Sequence, residues 1–154
     1  MIDHLLKAHP YEEPAYDILT LDNTYSEVGG GVIGTLKAPM ETEEFLHILK
    51  QKLHLPVVRC SDLCKEKVQR IALCGGSGSF LIGDAKSAGA DIFLTGDLKY
   101  HDFQQAEGDI ILCDIGHYES EQFAKEIIYA AISEKFRTFA CQISERKHGY
   151  VNYI

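Results

Sequence analysis

The stretch DIGHYESE, Asp114 to Glu121, sets a histidine and a glutamate four residues apart, just where an apolar run gives way to polar residues. On a helix, residues i and i+4 share one face a turn apart, so an imidazole nitrogen of His117 and a carboxylate oxygen of Glu121 can converge on one divalent cation. Gly116, just before them, lets the backbone turn sharply out of a strand. The competing reading is a surface His and Glu beside the acids of a helix start. A second pair repeats the spacing: TGDLKYHD carries Asp97 and His101, again just after an apolar run, DIFLT. Asp97 is there either a helix cap or a group behind the metal ligands, and His101 either lines the same pocket or is merely exposed. In a site, Asp97 or His101 would orient a water or take its proton. A third candidate is CGGSGS, Cys74 to Ser79, whose free amides between strand and helix suit an anion. It lacks the third glycine of a dinucleotide fingerprint and the Gly-Lys-Ser/Thr of a P-loop, and close packing of strand on helix explains its glycines as well. No G-x-S-x-G elbow supports nucleophilic catalysis.

These groups need strands that end beside one another. RIALC (70–74), DIFLT (91–95), DIILCDI (109–115) and TFACQIS (138–144) read as four short strands, because their apolar runs lack polar alternation and suit burial on both faces. Helical segments separate them: FLIGDAKSAGA, YHDFQQAEG and one long helix over 118–136. The rhythm predicts an α/β fold with a mainly parallel sheet and flanking helices, whose ligands gather at the carboxyl ends of the strands. The first sixty residues differ. They read as the tail of a helix, a Pro-bounded turn, a strand over about 15–21 packed apart from the sheet, and a glycine-rich turn with a further strand in GGGVIGTLKAPM. A helix over 41–53 follows, with Phe45, Leu46, Leu49 and Leu53 on one face. Any domain boundary falls near DNTYSEVGGG.

Composition narrows the partners. The chain has 154 residues, 45% of them hydrophobic, enough for one good core or two small ones. Its net charge of -8, from 15 Lys+Arg and 23 Asp+Glu, disfavours nucleic acid, whose phosphates need clustered cations. No apolar run reaches the ~20 residues that span a bilayer, and the opening residues lack the plan of a signal peptide, so a cytoplasmic location with no membrane partner is expected. The five cysteines, Cys60, Cys64, Cys74, Cys113 and Cys141, fit reduced thiols better than a disulfide framework or a zinc finger.

HPYEEPAYDIL, GGGVIGTL, CGGSGS, AGADIFLTGDLKYHD and DIGHYESE, in this order, resemble the Nif-three-like family of dinuclear-metal-centre hexameric proteins, also called GTP cyclohydrolase type 1, type 2 homologues. The resemblance covers nearly the whole chain, through an ending, ISERKHGYVNYI, similar to the family's closing strand and tail. It implies that residues 1–25 are the end of a ferredoxin-like insert domain and that 26–154 are the carboxy-terminal half of the metal-binding core. It also implies that His117 and Glu121 are metal ligands, half of a site for two divalent ions, zinc, manganese or iron. The family's other ligands come from a His-His-Pro type motif and a later Asp of its amino-terminal half, and neither occurs in this sequence. By this likeness the protein is a metal-dependent, cyclohydrolase-like hydrolase lacking the amino-terminal ligands, or else a noncatalytic metal-binding or ring-forming scaffold. A homo-oligomer, hexameric in the family, and a nucleotide or phosphorylated small molecule are the implied partners.

Overall fold

A computed structural model describes residues 2–19, 28–145 and 149–154. Three parallel strands form its centre, the second and third of them fully buried. β3 (Lys67–Ser77), β4 (Ile92–Gly96) and β5 (Ile111–Asp114) lie side by side, joined by α3 (Ile82–Ser87) and α4 (Tyr100–Gln104). Both outer strands run antiparallel: β1 (Val32–Glu41) pairs with β3, and the two-residue β2 (Arg59–Cys60) pairs with β5, giving the order β1-β3-β4-β5-β2. The mainly parallel α/β sheet expected from the sequence is therefore present, with antiparallel edges.

Alternation along the central strands divides the core into two layers. Phe93 and Leu112 point to one face, where they meet Ile82 and Ala85 of α3, Leu98, Ala106 and Ile110. Ile92, Leu94, Ile111 and Cys113 point to the other, against α2 (Thr42–Lys52). The apolar stripe Phe45, Leu46, Leu49 and Leu53 packs there, as its helical spacing requires. Covering both faces is what lets these strands dispense with polar alternation.

The structure corrects several expectations. Residues 138–144 form no strand: β2 already occupies the free edge of β5, and Phe139, which a further strand would bury, is 68% exposed. The long helix expected over 118–136 is two helices, α5 (His117–Glu121) and α6 (Ala124–Lys135), separated by a turn at Gln122 and Phe123. The Gln122 amide group donates from Nε2 to the Leu53 and Glu119 carbonyls at 3.2 Å each, which fixes that turn. β3 also continues through CGGS, where a loop was expected. In the amino-terminal segment, α1 (Ile2–Ala8) is helical, while 15–19 are neither helix nor strand. No described residue of 2–19 is buried. The rest of the expected strand and the expected boundary at residue 25 lie outside the described residues. The closing strand expected in the ending is absent from 143–145 and 149–154.

Candidate metal half-site at the carboxyl edge of the sheet

Two crossover units deliver the site. β4 ends at Gly96 and β5 at Asp114, neighbouring parallel strands whose carboxyl ends open on the same edge. Beyond β5 the chain turns at Gly116 (φ 87°, ψ 143°) and enters α5 at His117. This backbone suits glycine, and a Cβ at this position would collide with the Glu119 carboxylate. Beyond β4, Asp97 takes a left-handed conformation (φ 59°), which turns its carboxylate toward α5.

His117 lies between two acids. Its Nδ1 is 2.6 Å from Asp97 Oδ2, and its Nε2 is 3.2 Å from Glu121 Oε2, one turn along α5. The hydrogen bond with Asp97 is the chief reason that the imidazole titrates above its ordinary range, and the Glu121 charge adds to it. In the neutral ring, Asp97 retains the proton on Nδ1 and leaves the Nε2 lone pair facing Glu121. α5 is tied down from below, since Ser120 Oγ donates to the His117 carbonyl at 2.7 Å and accepts from the Gly76 amide at 2.9 Å. Gly76 (φ 65°) passes so close that a Cβ there would lie 2.5 Å from Glu121 Oε1.

That contact assigns CGGSGS a role. The Gly76 amide is taken by Ser120, the Gly76 carbonyl accepts from Thr95 Oγ1 at 3.1 Å, and a Cβ on Gly78 would meet Thr95 and Cys74. These glycines let β3 approach β4 and α5, and the Gly76 amide is not free for an anion.

His101 stands apart from the other candidates. It is exposed on α4, its Nδ1 3.1 Å from Gln104 Oε1, and it does not line the cleft beside His117. Nor does Asp97 cap α4, because the Lys99 amide donates to Asp102 Oδ2 at 2.7 Å. Of the four candidates the structure thus brings together Asp97, His117 and Glu121.

The cleft itself, about 580 Å³, adds residues that spacing did not single out, among them Arg59, Asp114 and Tyr153. Asp114 is 6% exposed and holds both loops of the site. Its carboxylate accepts from the Gly116 amide (2.9 Å), the Leu98 amide (2.9 Å) and the Arg59 guanidinium. Arg59 also donates to the Leu98 carbonyl at 2.8 Å. The Tyr153 hydroxyl donates to Glu119, and burial together with that carboxylate's charge raises its pKa. An acid closing a buried strand, as Asp114 closes DIILCD, was the available signal for one of these. Arg59 carried none.

The donor set suits a divalent cation in part. His117 Nε2 and Glu121 face one another, Asp97 supports the far ring nitrogen, and Gly76 leaves space beside the glutamate. Among the described residues, no group of three or more His, Cys, Asp or Glu side chains is arranged to hold a metal ion. Asp97 is on the far side of the ring from Glu121, so among the described residues two side chains, His117 and Glu121, are placed to face one ion.

An α/β sheet of this topology with a His–carboxylate pair at its carboxyl edge defines a class before it defines a protein. The model of the DUF34/NIF3 (NGG1p interacting factor 3) family matches residues 4–148, and the chain belongs to that family. It is 40% identical over 127 residues to the GTP cyclohydrolase 1 type 2 homolog of Bacillus subtilis, and 40% identical over 123 residues to that of Staphylococcus epidermidis. These alignments take in 82% and 79% of the chain but 34% and 33% of the relatives, so the chain spans about a third of their length. Among solved structures, a Bacillus cereus protein related to NIF3 superposes with a TM-score of 0.71 at 30% identity, over 99% of this chain and 43% of the other. Staphylococcus aureus protein SA1388 gives 0.73 at 31% identity, over 99% and 51%. Among the described residues, no helix is long and apolar enough to cross a membrane.

Proposed function

We propose that this chain supplies half of a divalent-metal centre and serves hydrolase-like chemistry of the cyclohydrolase type, within a homo-oligomer in the cytoplasm. The observation that carries the reading is His117 between Glu121 and Asp97, its two ring nitrogens 3.2 and 2.6 Å from their oxygens. His117 Nε2 and the Glu121 carboxylate would hold the ion, zinc, manganese or iron, and further ligands would come from outside this chain's described residues. A bound cation supplies Lewis acidity toward a carbonyl, imine or phosphoryl oxygen. Asp97 orients the imidazole and keeps its proton on Nδ1. Arg59 gives the cleft wall a cation suited to an anionic group such as a phosphate, which supports a nucleotide or phosphorylated small molecule as ligand.

The short supply of ligands favours a second reading, metal binding without turnover in a scaffold. Assay of nucleotides and phosphoesters with added zinc or manganese separates the two. Metal-dependent turnover by the wild type that is lost in His117→Ala supports the hydrolase; metal uptake without turnover of any of these substrates supports the scaffold.

A further inference from the structure

Cys60 and Cys113 are directly opposed across the antiparallel β2/β5 pair. On the next rung, the Ser61 amide donates to the Leu112 carbonyl at 2.9 Å. The Cys60–Cys113 rung is therefore of the non-hydrogen-bonded kind, in which opposed Cα atoms approach to about 4.5 Å and the side chains lie closest. That separation lies within the range of about 4.4 to 6.8 Å that a disulfide spans. The two sulfurs, both free thiols, are 2.9 Å apart. Cys113 is fully buried and Cys60 partly exposed, so one sulfur can meet a small oxidant while the other waits behind it.

We propose that Cys60 and Cys113 are an oxidisable pair that a hydroperoxide closes to a cross-strand disulfide, locking one wall of the cleft beside His117. The Cys60 thiolate attacks one peroxide oxygen, the O–O bond breaks, and with hydrogen peroxide the departing hydroxide takes up a proton and leaves as water. Cys60 is then a sulfenic acid. The Cys113 sulfur displaces its hydroxyl, the S–O bond breaks, and the hydroxyl leaves as a second water with the Cys113 proton. Two thiols are oxidised and one peroxide is reduced to two waters. Hydrogen bonding supports this division of labour: the Cys113 thiol donating to Cys60 lowers the pKa of Cys60, while that bond and burial raise that of Cys113.

The lock reaches the cleft through the neighbouring rung. Arg59 is opposite Asp114, and Asp114 holds the Leu98 and Gly116 amides that set the two loops of the site. β2 is two residues long, so a covalent bond at Cys60 restrains the adjoining Arg59 rung. This inference is independent of whether a metal binds.

The test treats the full chain with hydrogen peroxide, then combines thiol counting, peptide mapping and amide hydrogen exchange. The account expects three of the five thiols to remain, a Cys60–Cys113 cross-linked peptide, and slower exchange at Leu98 and Gly116. Cys64→Ser should leave the cross-link intact, and Cys60→Ala, at a partly exposed position, should abolish it. Five surviving thiols, or a disulfide joining other cysteines, would overturn the pairing. A Cys60–Cys113 bond with unchanged exchange at both amides would overturn the lock.

Discussion

Asp97 and His117, twenty residues apart, meet at 2.6 Å across the ends of two adjacent parallel strands. Helical spacing accounts for neither side of this contact. Asp97 reaches α5 because its backbone is left-handed, and His117 reaches Asp97 because Gly116 turns the chain in a conformation that a branched residue resists. The pair makes the imidazole's orientation a property of the sheet edge.

Asp97→Asn tests that property. The amide can still meet Nδ1 but carries no charge, so the His117 titration midpoint should fall, as followed by NMR of its ring protons. Metal affinity should drop by about 10- to 100-fold, the usual cost of removing a carboxylate behind a ligating histidine.

Proton and metal compete for His117, and the raised pKa fixes the sign of the pH dependence. The ion pairs contribute stability that is fully present below the unfolded value of about 6.5 and is lost as pH rises through the higher folded value. Metal uptake runs the other way: it should be weak where His117 is protonated and should grow through the same interval. In Asp97→Asn the rise in uptake should shift to lower pH. Calorimetric titrations with zinc at several pH values check both statements.

Gly116→Val forces a branched residue to φ 87° and drives its Cβ into the Glu119 carboxylate. A loss of about 1 kcal/mol or more in unfolding free energy is expected, measurable by urea titration, together with displacement of His117 and Glu121.

Asp114→Ala leaves the Leu98 and Gly116 amides without their acceptor and the Arg59 guanidinium without its partner. The cost should be about 1 to 3 kcal/mol, because the buried Leu98 amide loses its acceptor while the half-exposed Arg59 guanidinium can turn to water. Asp114→Asn, which keeps an acceptor oxygen, should recover part of it.

How much of this was legible depended on distance along the chain. The i and i+4 relation of His117 and Glu121 needs only a helix, and the turn at Gly116 needs only a glycine after a buried strand. The same arithmetic misled at Asp97 and His101, because α4 starts at Tyr100 and Asp97 is outside it in a left-handed conformation, so the two share no helical face. The contact of Asp97 with His117 depends on the two crossovers placing β4 beside β5, which no local spacing encodes. β2 is two residues long, too short to leave a pattern in the sequence, yet it fills the edge of β5 and brings Arg59 to the cleft.

Isothermal titration of zinc and manganese into the wild type, His117→Ala, Glu121→Gln and the double variant tests the central claim most directly. The account predicts wild-type uptake that His117→Ala and the double variant lose. Glu121→Gln should weaken zinc less than His117→Ala does, and should matter more for manganese, which favours carboxylate oxygen. Metal uptake unchanged in the double variant would contradict it, and would reduce His117 and Glu121 to an ion pair on a helix surface.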